Sequence, residues 1–510
     1  MPRWKGSTQA LAILIGVAMG LVLSPSLSGC SAESLPISKL FGSVGGYGLS
    51  KDAARQFERF GAVYRNNVTD PGNTRQLRHF KDAFKRVRAD YVRKVSDTKL
   101  IDAAIKGALK AVKEDNRGKP LKPAVFIEDS LDSMMGSLDP HTVYYNVDEY
   151  NDMQASTRGE FGGLGIQVSM EDGLVKVISP IDGTPAFRAG IKSGDLITHL
   201  DGKPIKGRTL SWAVKKMRGF PGQPIRLTIS RENAAPFDVT IIRDIITVRS
   251  VRWRTVGPIG YIRVSSFSEK TEGGFNEAVR GIKKKLGVGL KGIVLDLRNN
   301  GGGLLNQSVI LADAFLDKGR IVSVKGRNKD DVRVYAAGYG DVAEGLPMVV
   351  LINGGSASAS EIVASALKEN GRALVMGRRS FGKGSVQTII PLPMEGALKL
   401  TTQLYYGPNG KTIQAFGIEP DIRLTLPEKK GKDGKKIERR REVDMPGYLP
   451  GEATHTRSKQ TVIKERDCPA VQVTVADRKI EDYALGCATE FLNTGSTAKF
   501  IASLGAGKTM

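Results

Sequence analysis

Two hydrophobic periodicities divide the chain. From Lys51 to about Met135 apolar residues recur at three- and four-residue spacing: Phe57, Phe60, Val63, Tyr64; Phe80, Phe84, Val87, Tyr91; Leu100, Ile101, Ile105, Leu109. Such positions share one helix face, so a small helical domain is expected over 50–152, broken at Pro71-Gly72 and at the basic stretch 116–122. The turn Leu138–Thr142 closes it. Between 160 and 243 the pattern shortens to β-branched runs separated by Gly, Pro and Asp: Ile166–Val168, Val175–Ile178, Leu196–Leu200, Ile225–Ile229 and Val239–Ile242. With one short helix at Leu210–Arg218, this predicts a mostly antiparallel barrel within a domain spanning 153–243.

From about Val248 strand and helix signals alternate. Tyr261–Val264 precedes a helix at Gly274–Leu286, Gly292–Leu297 precedes Leu304–Leu316, and Met348–Ile352 precedes Ala359–Glu369. Strands apolar at nearly every position belong to a buried sheet, so an α/β layer is expected over 244–427. The fold class is therefore multidomain α+β. Residues 428–442 hold eight Lys or Arg and read as the start of a solvated basic linker, 428–466. A tail, 467–510, follows, with a helix expected around Ile480–Leu492.

The N-terminus changes the picture. Residues 1–9 carry Arg3 and Lys5 and no acid, and Ala10–Leu23 is a 14-residue run without charge. A basic flank followed by an apolar stretch short of the ~20 residues that span a bilayer reads as a secretory signal, 1–30, with 31–49 as a Ser/Gly-rich tether. Leu27-Ser28-Gly29-Cys30 resembles the bacterial lipobox, which places a lipid on Cys30; cleavage after Ala32 without a lipid is the competing outcome. The expected location is outside the cytoplasm, in a bacterial periplasm, with a possible membrane tether at the N-terminus. Cys468 and Cys487 then lie in an oxidising compartment, where they either form a disulfide or remain two small apolar residues.

Composition excludes several classes. Three Cys and four His in 510 residues are too few for a zinc-finger array or an iron–sulfur protein. The net charge of +23 invites a nucleic-acid reading. Against it, much of the excess sits in the 428–442 run, no basic motif is interleaved with aromatics, and the chain carries an export signal. Attraction to anionic envelope surfaces fits the charge better. Neither Cys nor His occurs from 200 to 454, so chemistry placed there works without imidazole or thiol.

Three segments in that region carry candidate chemistry. Asn353–Ile362, NGGSASASEI, joins a buried strand to a helix whose first N–H groups and dipole favour an anion. Ser358-x-x-Glu361 also has the form of a capping box, an everyday structural use of Ser. Gly377–Gln387, GRRSFGKGSVQ, holds Lys383 between two glycines. It does not satisfy the Walker pattern, because Gly384 follows the Lys. On one extended segment Lys383 and Gln387 would point to the same face. Asp296–Gly303, DLRNNGGG, is a third strand-to-Gly-loop segment. A serine nucleophile here needs Lys as its base, and burial lowers an amine's pKa from ~10.4 toward neutrality.

Together these segments closely resemble the carboxyl-terminal processing (tail-specific) proteases, over roughly residues 50–425. The resemblance includes the Leu138–Thr142 turn, Gly162–Ile166 and Gly417–Asp421. It implies Ser358 as nucleophile, Lys383 as general base and Gln387 as its assistant. It implies backbone N–H donors to an oxyanion from Ala359 and one glycine of the DLRNNGGG loop, taken here as Gly302. It makes the α/β core similar to the crotonase and Clp-protease layer, and the barrel similar to a PDZ domain, with Gly163, Leu164, Gly165 and Ile166 holding a substrate's terminal carboxylate. It implies neither metal nor cofactor. One departure is Ala415, where the family usually has Gly.

The expected activity is that of an exported serine endopeptidase acting on protein or peptide substrates with flexible, apolar C-termini. The alternative is a catalytically inactive PDZ-type scaffold of the cell envelope. An acyl-CoA hydratase or lyase, whose layer also uses paired backbone amides, would leave the export signal and the PDZ-like barrel unexplained.

Overall fold

The computed structural model describes residues 49–114, 116–328, 330–338, 340–425, 440–452, 460–475 and 478–506. The expected signal peptide and Cys30 lie outside the described residues, as do 428–439 of the basic run.

Four helices, Lys51–Asn67, Thr74–Asp90, Asp97–Glu114 and Pro123–Gly136, follow the spacing read from the sequence, except that Leu109, marked by that spacing, is exposed. Their apolar faces meet in a core with Phe60, Phe80, Phe84 and Phe126 at its centre, the Phe60 and Phe80 rings stacked with centroids 3.8 Å apart. That core is completed from far along the chain by Ile390, Leu398, Leu400 and Leu404, so the helices are packed on a sheet rather than closed on themselves. The sheet pairs Ala397–Tyr406 with Ser385–Pro391, Val143–Tyr145 and Arg320–Lys325, the last also pairing Val332–Ala336.

The barrel consists of Ile166–Glu171, Leu174–Pro180, Leu196–Leu200, Pro224–Ser230 and Phe237–Ile242, paired antiparallel in that order, with the helix Leu210–Met217 beside them. Ile166–Glu171 is an edge strand of this sheet. A two-stranded ribbon, Glu160–Gly163 with Asp244–Thr247, clamps the segments that enter and leave the barrel.

The central sheet has seven strands in the order Val251–Val256, Ile259–Val264, Gly292–Asp296, Met348–Ile352, Leu374–Gly377, Ile422–Thr425, Thr461–Lys464. All neighbouring pairs but the first are parallel. One face packs on the helices Thr271–Leu286, Leu305–Asp313 and Ala359–Glu369 through Phe275, Leu311 and Ile362. The other face, carrying Val294, Val349, Leu351 and Met376, is covered by Leu485, Ala488, Leu492 and Phe500.

Both findings correct the reading of the C-terminal region. Thr461–Lys464, expected in the basic linker, is an edge strand of the central sheet. Within the expected tail, 467–510, the hairpin Val471–Val475 and Arg478–Asp482 and the helices Tyr483–Thr494 and Thr497–Ala506 supply the sheet's second layer. The physical reason is visible in Met348–Ile352, buried at all five positions. A strand apolar on both sides needs a cover on each. Cys468 and Cys487 form a disulfide within this layer.

Candidate active site

Three neighbouring parallel strands, Gly292–Asp296, Met348–Ile352 and Leu374–Gly377, end side by side. Their carboxyl ends release the three loops singled out above, and crevices at such ends are where α/β sheets place ligands. Side-chain to backbone bonds knit the loops together. Asn353 Oδ1 accepts from the N–H of Asn299 and of Gly355, each at 2.9 Å. Ala357 N–H donates to Asn300 O at 3.0 Å, and Phe381 N–H to Ser356 O at 3.0 Å.

The three serines of GSASAS have separate fates. Ser356, fully buried, donates to Leu297 O at 2.8 Å and accepts from Asn353 N–H at 3.0 Å. Ser360, also fully buried, donates to Asn300 O at 2.8 Å. Both hydroxyls are spent on tying loops. Ser358 sits at the head of the helix Ala359–Glu369 with φ 56° and ψ −115°, a conformation a non-glycine residue rarely holds and which costs on the order of 1–3 kcal/mol. A sharp strand-to-helix turn of this kind is how α/β enzymes present a nucleophile. The buried phenol of Tyr405 is hydrogen-bonded to the Ser358 side chain.

Gly302 (φ 101°) backs directly onto Ser358: a Cβ there would lie 2.8 Å from Ser358 Cβ. Ala359, fully buried, places its N–H at the helix start. The Gly302 N–H, however, donates to Asn300 Oδ1 at 2.9 Å. This departs from the expected oxyanion pair, because the chosen donor is engaged inside its own loop.

Lys383 is half-buried in the loop after Leu374–Gly377. Burial, reinforced by the charge of Lys399, lowers its ammonium to about 8 against the opposing pull of Glu442, Asp139 and Glu361. Among the described residues no hydrogen bond joins Lys383 Nζ to Ser358 Oγ. Gln387 lies past a bulge between Val386 and Gln387, where the pairing with Ala397–Tyr406 shifts by a residue. Simple alternation from Lys383 therefore does not carry through. Gln387 Nε2 donates to Ser385 Oγ at 2.9 Å and Thr401 Oγ1 at 3.2 Å, and Thr401 Oγ1 donates to Asp139 Oδ1 at 3.1 Å.

Glu361 is the residue the sequence undervalued. Its carboxylate, completely buried, accepts Ser358 N–H (2.7 Å) and Lys383 N–H (2.9 Å) on Oε2, and Ser380 Oγ–H (2.5 Å) and Gly382 N–H (2.7 Å) on Oε1. Burial pushes it up to about 7, and these four donors pull the other way. The capping-box spacing signalled its bond to Ser358; nothing local signalled the other three.

In the barrel, a cavity of about 120 Å³ is lined by Phe161, Gly163, Leu164, Gly165, Ile166, Val168, Val214, Met217 and Arg218. It lies between the edge strand Ile166–Glu171 and the helix Leu210–Met217. Gly165 (φ 77°) is required: a Cβ there would lie 2.3 Å from Thr184 Cβ. Arg218 stacks on Phe161, 4.7 Å from the ring centroid.

The family model of peptidase family S41 matches residues 258–424, and that of the PDZ domain matches 162–241. The chain is 50% identical over 364 residues to a carboxy-terminal-processing protease of Bartonella bacilliformis, covering 70% of this chain and 78% of that one. It is 34% identical over 348 residues to the carboxy-terminal processing protease CtpA of Bacillus subtilis, covering 68% of each. Among solved structures, a photosystem II D1 C-terminal processing protease aligns with 28% identity and a TM-score of 0.44, over 68% of this chain and 92% of that chain. With the PDZ domain ahead of its peptidase part, this chain belongs to peptidase family S41 and is a serine-type peptidase alongside the carboxy-terminal processing proteases.

Proposed function

We propose that the chain is an endopeptidase that captures the free C-terminus of a flexible protein substrate and cuts near that end. The observation that carries the reading is the amine of Lys383, lowered to about 8, on a loop bound by the same carboxylate that binds Ser358. Ser358 Oγ attacks the scissile carbonyl while Lys383 Nζ takes its proton. Ala359 N–H and a second amide of the 301–303 loop stabilise the oxyanion. As the tetrahedral species collapses the C–N bond breaks, Lys383 returns the proton to the leaving amine, and an acyl-enzyme forms. Water, deprotonated by Lys383, then attacks the ester and releases Ser358. The reaction requires the flexible Lys383 side chain to swing onto Ser358 when substrate binds, and Gln387 to orient it.

The barrel supplies capture. A substrate end adding to the edge strand Ile166–Glu171 would set its carboxylate against the amides of Gly163–Ile166. Leu164, Ile166, Val168, Val214 and Met217 favour an apolar terminal side chain. The same reading makes the protein exported and periplasmic, tethered through Cys30 if that residue is lipidated; the mass of the mature N-terminus tests it.

The test of mechanism is cleavage of a model protein bearing an apolar tail by Ser358→Ala and, separately, Lys383→Ala. Each is expected to abolish turnover, and unchanged cleavage by either rejects the assignment. An inactive PDZ scaffold predicts that a serine-directed acylating probe leaves Ser358 unlabelled.

A further inference from the structure

Residues 440–452 follow the region matched to the peptidase family and cross the Lys383 loop as a strap. The strap holds a buried carboxylate that the mechanism above does not use. Glu442 is 1% exposed. Its N–H donates to Phe381 O at 3.2 Å, its Oε1 accepts from Gln414 Nε2 at 2.9 Å, and its Oε2 lies 2.8 Å from His141 Nε2. Gln414, fully buried, uses its Oε1 to accept Gly384 N–H at 2.8 Å. The strap thus grips the Lys383 loop on both sides, at Phe381 directly and at Gly384 through Gln414.

The strap is itself anchored. Leu449 is buried in the helical core, Gln414 Nε2 also donates to Leu449 O at 2.9 Å, and Tyr406 donates its phenol to Glu452 at 2.5 Å. A carboxylate is costly to bury unless paired, and one spent only on fastening a strap would be replaceable by an apolar contact. Here its charge also acts on the ammonium the reaction needs.

We propose that Glu442 is a positioning residue of the peptidase, holding the Lys383 loop through Gln414 and setting a negative charge opposite the Lys383 ammonium, with His141 fixing that carboxylate in place. The inference rests on Lys383 being the general base. The charges that act on Lys383 are those of Glu442 from the strap, Asp139 from the Leu138–Thr142 turn, Glu361 from the helix Ala359–Glu369 and Lys399 from the strand Ala397–Tyr406. His141 faces Glu442 in turn. Glu442 opposes Lys399, so removing its charge lowers the Lys383 titration further.

The experiment uses the full chain, a quenched peptide ending in apolar residues, and Glu442→Gln, Glu442→Ala, His141→Gln and Lys383→Ala. Glu442→Gln keeps the shape and removes the charge: the acid limb of the kcat/KM–pH profile should move to lower pH with Tm nearly unchanged. Glu442→Ala breaks the bridge to Gln414, and kcat should fall roughly 10- to 100-fold with KM within about twofold, as for a misplaced catalytic group. His141→Gln should lower kcat in the same direction by less. The proposal is overturned if the Glu442 variants keep the wild-type kcat and acid limb. It is equally overturned if kcat falls only in step with the folded fraction while the limb stays fixed. Activity retained in Lys383→Ala would remove the base assignment itself; an inactive Lys383→Ala with unaffected Glu442 variants removes only the role of the strap.

Discussion

The backbone amides of Ser358 and Lys383 converge on one atom, Oε2 of Glu361, at 2.7 and 2.9 Å. The two residues are 25 positions apart and leave different strands, yet a single buried carboxylate fixes the start of both loops. Its other oxygen takes Ser380 and Gly382, so four donors meet one side chain. The geometry of the nucleophile and of the base is thereby coupled through the backbone.

Replacing Glu361 by Gln should therefore damage both stability and turnover. The amide offers one acceptor oxygen and turns its NH₂ toward donors, leaving buried N–H groups without partners at about 1–3 kcal/mol each. Denaturant unfolding should show the loss, and kcat should fall more than KM rises. The pH dependence has a definite sign. The carboxyl is raised to about 7 in the folded chain from an ordinary 4.5. The folded form therefore holds a proton that the unfolded form has released across this interval, and the Glu361 contribution falls as pH rises from about 4.5 to about 7. Glu361→Gln should lack that slope.

Activity should follow the neutral fraction of Lys383. With its ammonium at about 8, kcat/KM should rise with pH through that value and be roughly 100-fold lower two pH units below it. A profile flat from pH 6 to 9 would contradict an amine base.

Gly165→Ala should weaken capture and spare chemistry. The new Cβ collides with Thr184 at a backbone angle that disfavours it, a strain of about 1–3 kcal/mol. Anisotropy of a labelled peptide with an apolar C-terminus, measured in a Ser358→Ala background, should show weaker binding. In the active enzyme KM should rise while kcat changes little.

The Cys468–Cys487 disulfide should stabilise the layer that covers the second face of the sheet. A crosslink across 19 residues contributes about 3 kcal/mol through chain entropy. Tm should drop on reduction, and the double Ser variant should lose its sensitivity to reductant.

Local pattern made much of this protein legible. The helices that begin at Lys51 and Thr74 bury the residues their spacing marks, because a 3.6-residue repeat of apolar side chains commits a helix to one face whatever it packs on. The barrel strands and the strand-to-loop placement of Ser358 and Lys383 followed from alternation and glycine in the same way. What the helices pack on was not legible: Leu398 and Leu400 arrive from more than 250 residues away.

The C-terminal region shows the limit. Its composition reads as linker and tail, yet Thr461–Lys464 extends the central sheet and Leu485 and Leu492 seal its second face. The demand for that seal was already written in Met348–Ile352; which segment met it was not. The sequence by itself determined the residue types, their order along the chain and the elements that carry them, since these depend on neighbours a few positions away. Only the tertiary structure decided that one carboxylate serves both loops and that a distant strap holds the Lys383 loop. Those are bonds between residues far apart in the chain, and no local periodicity encodes them.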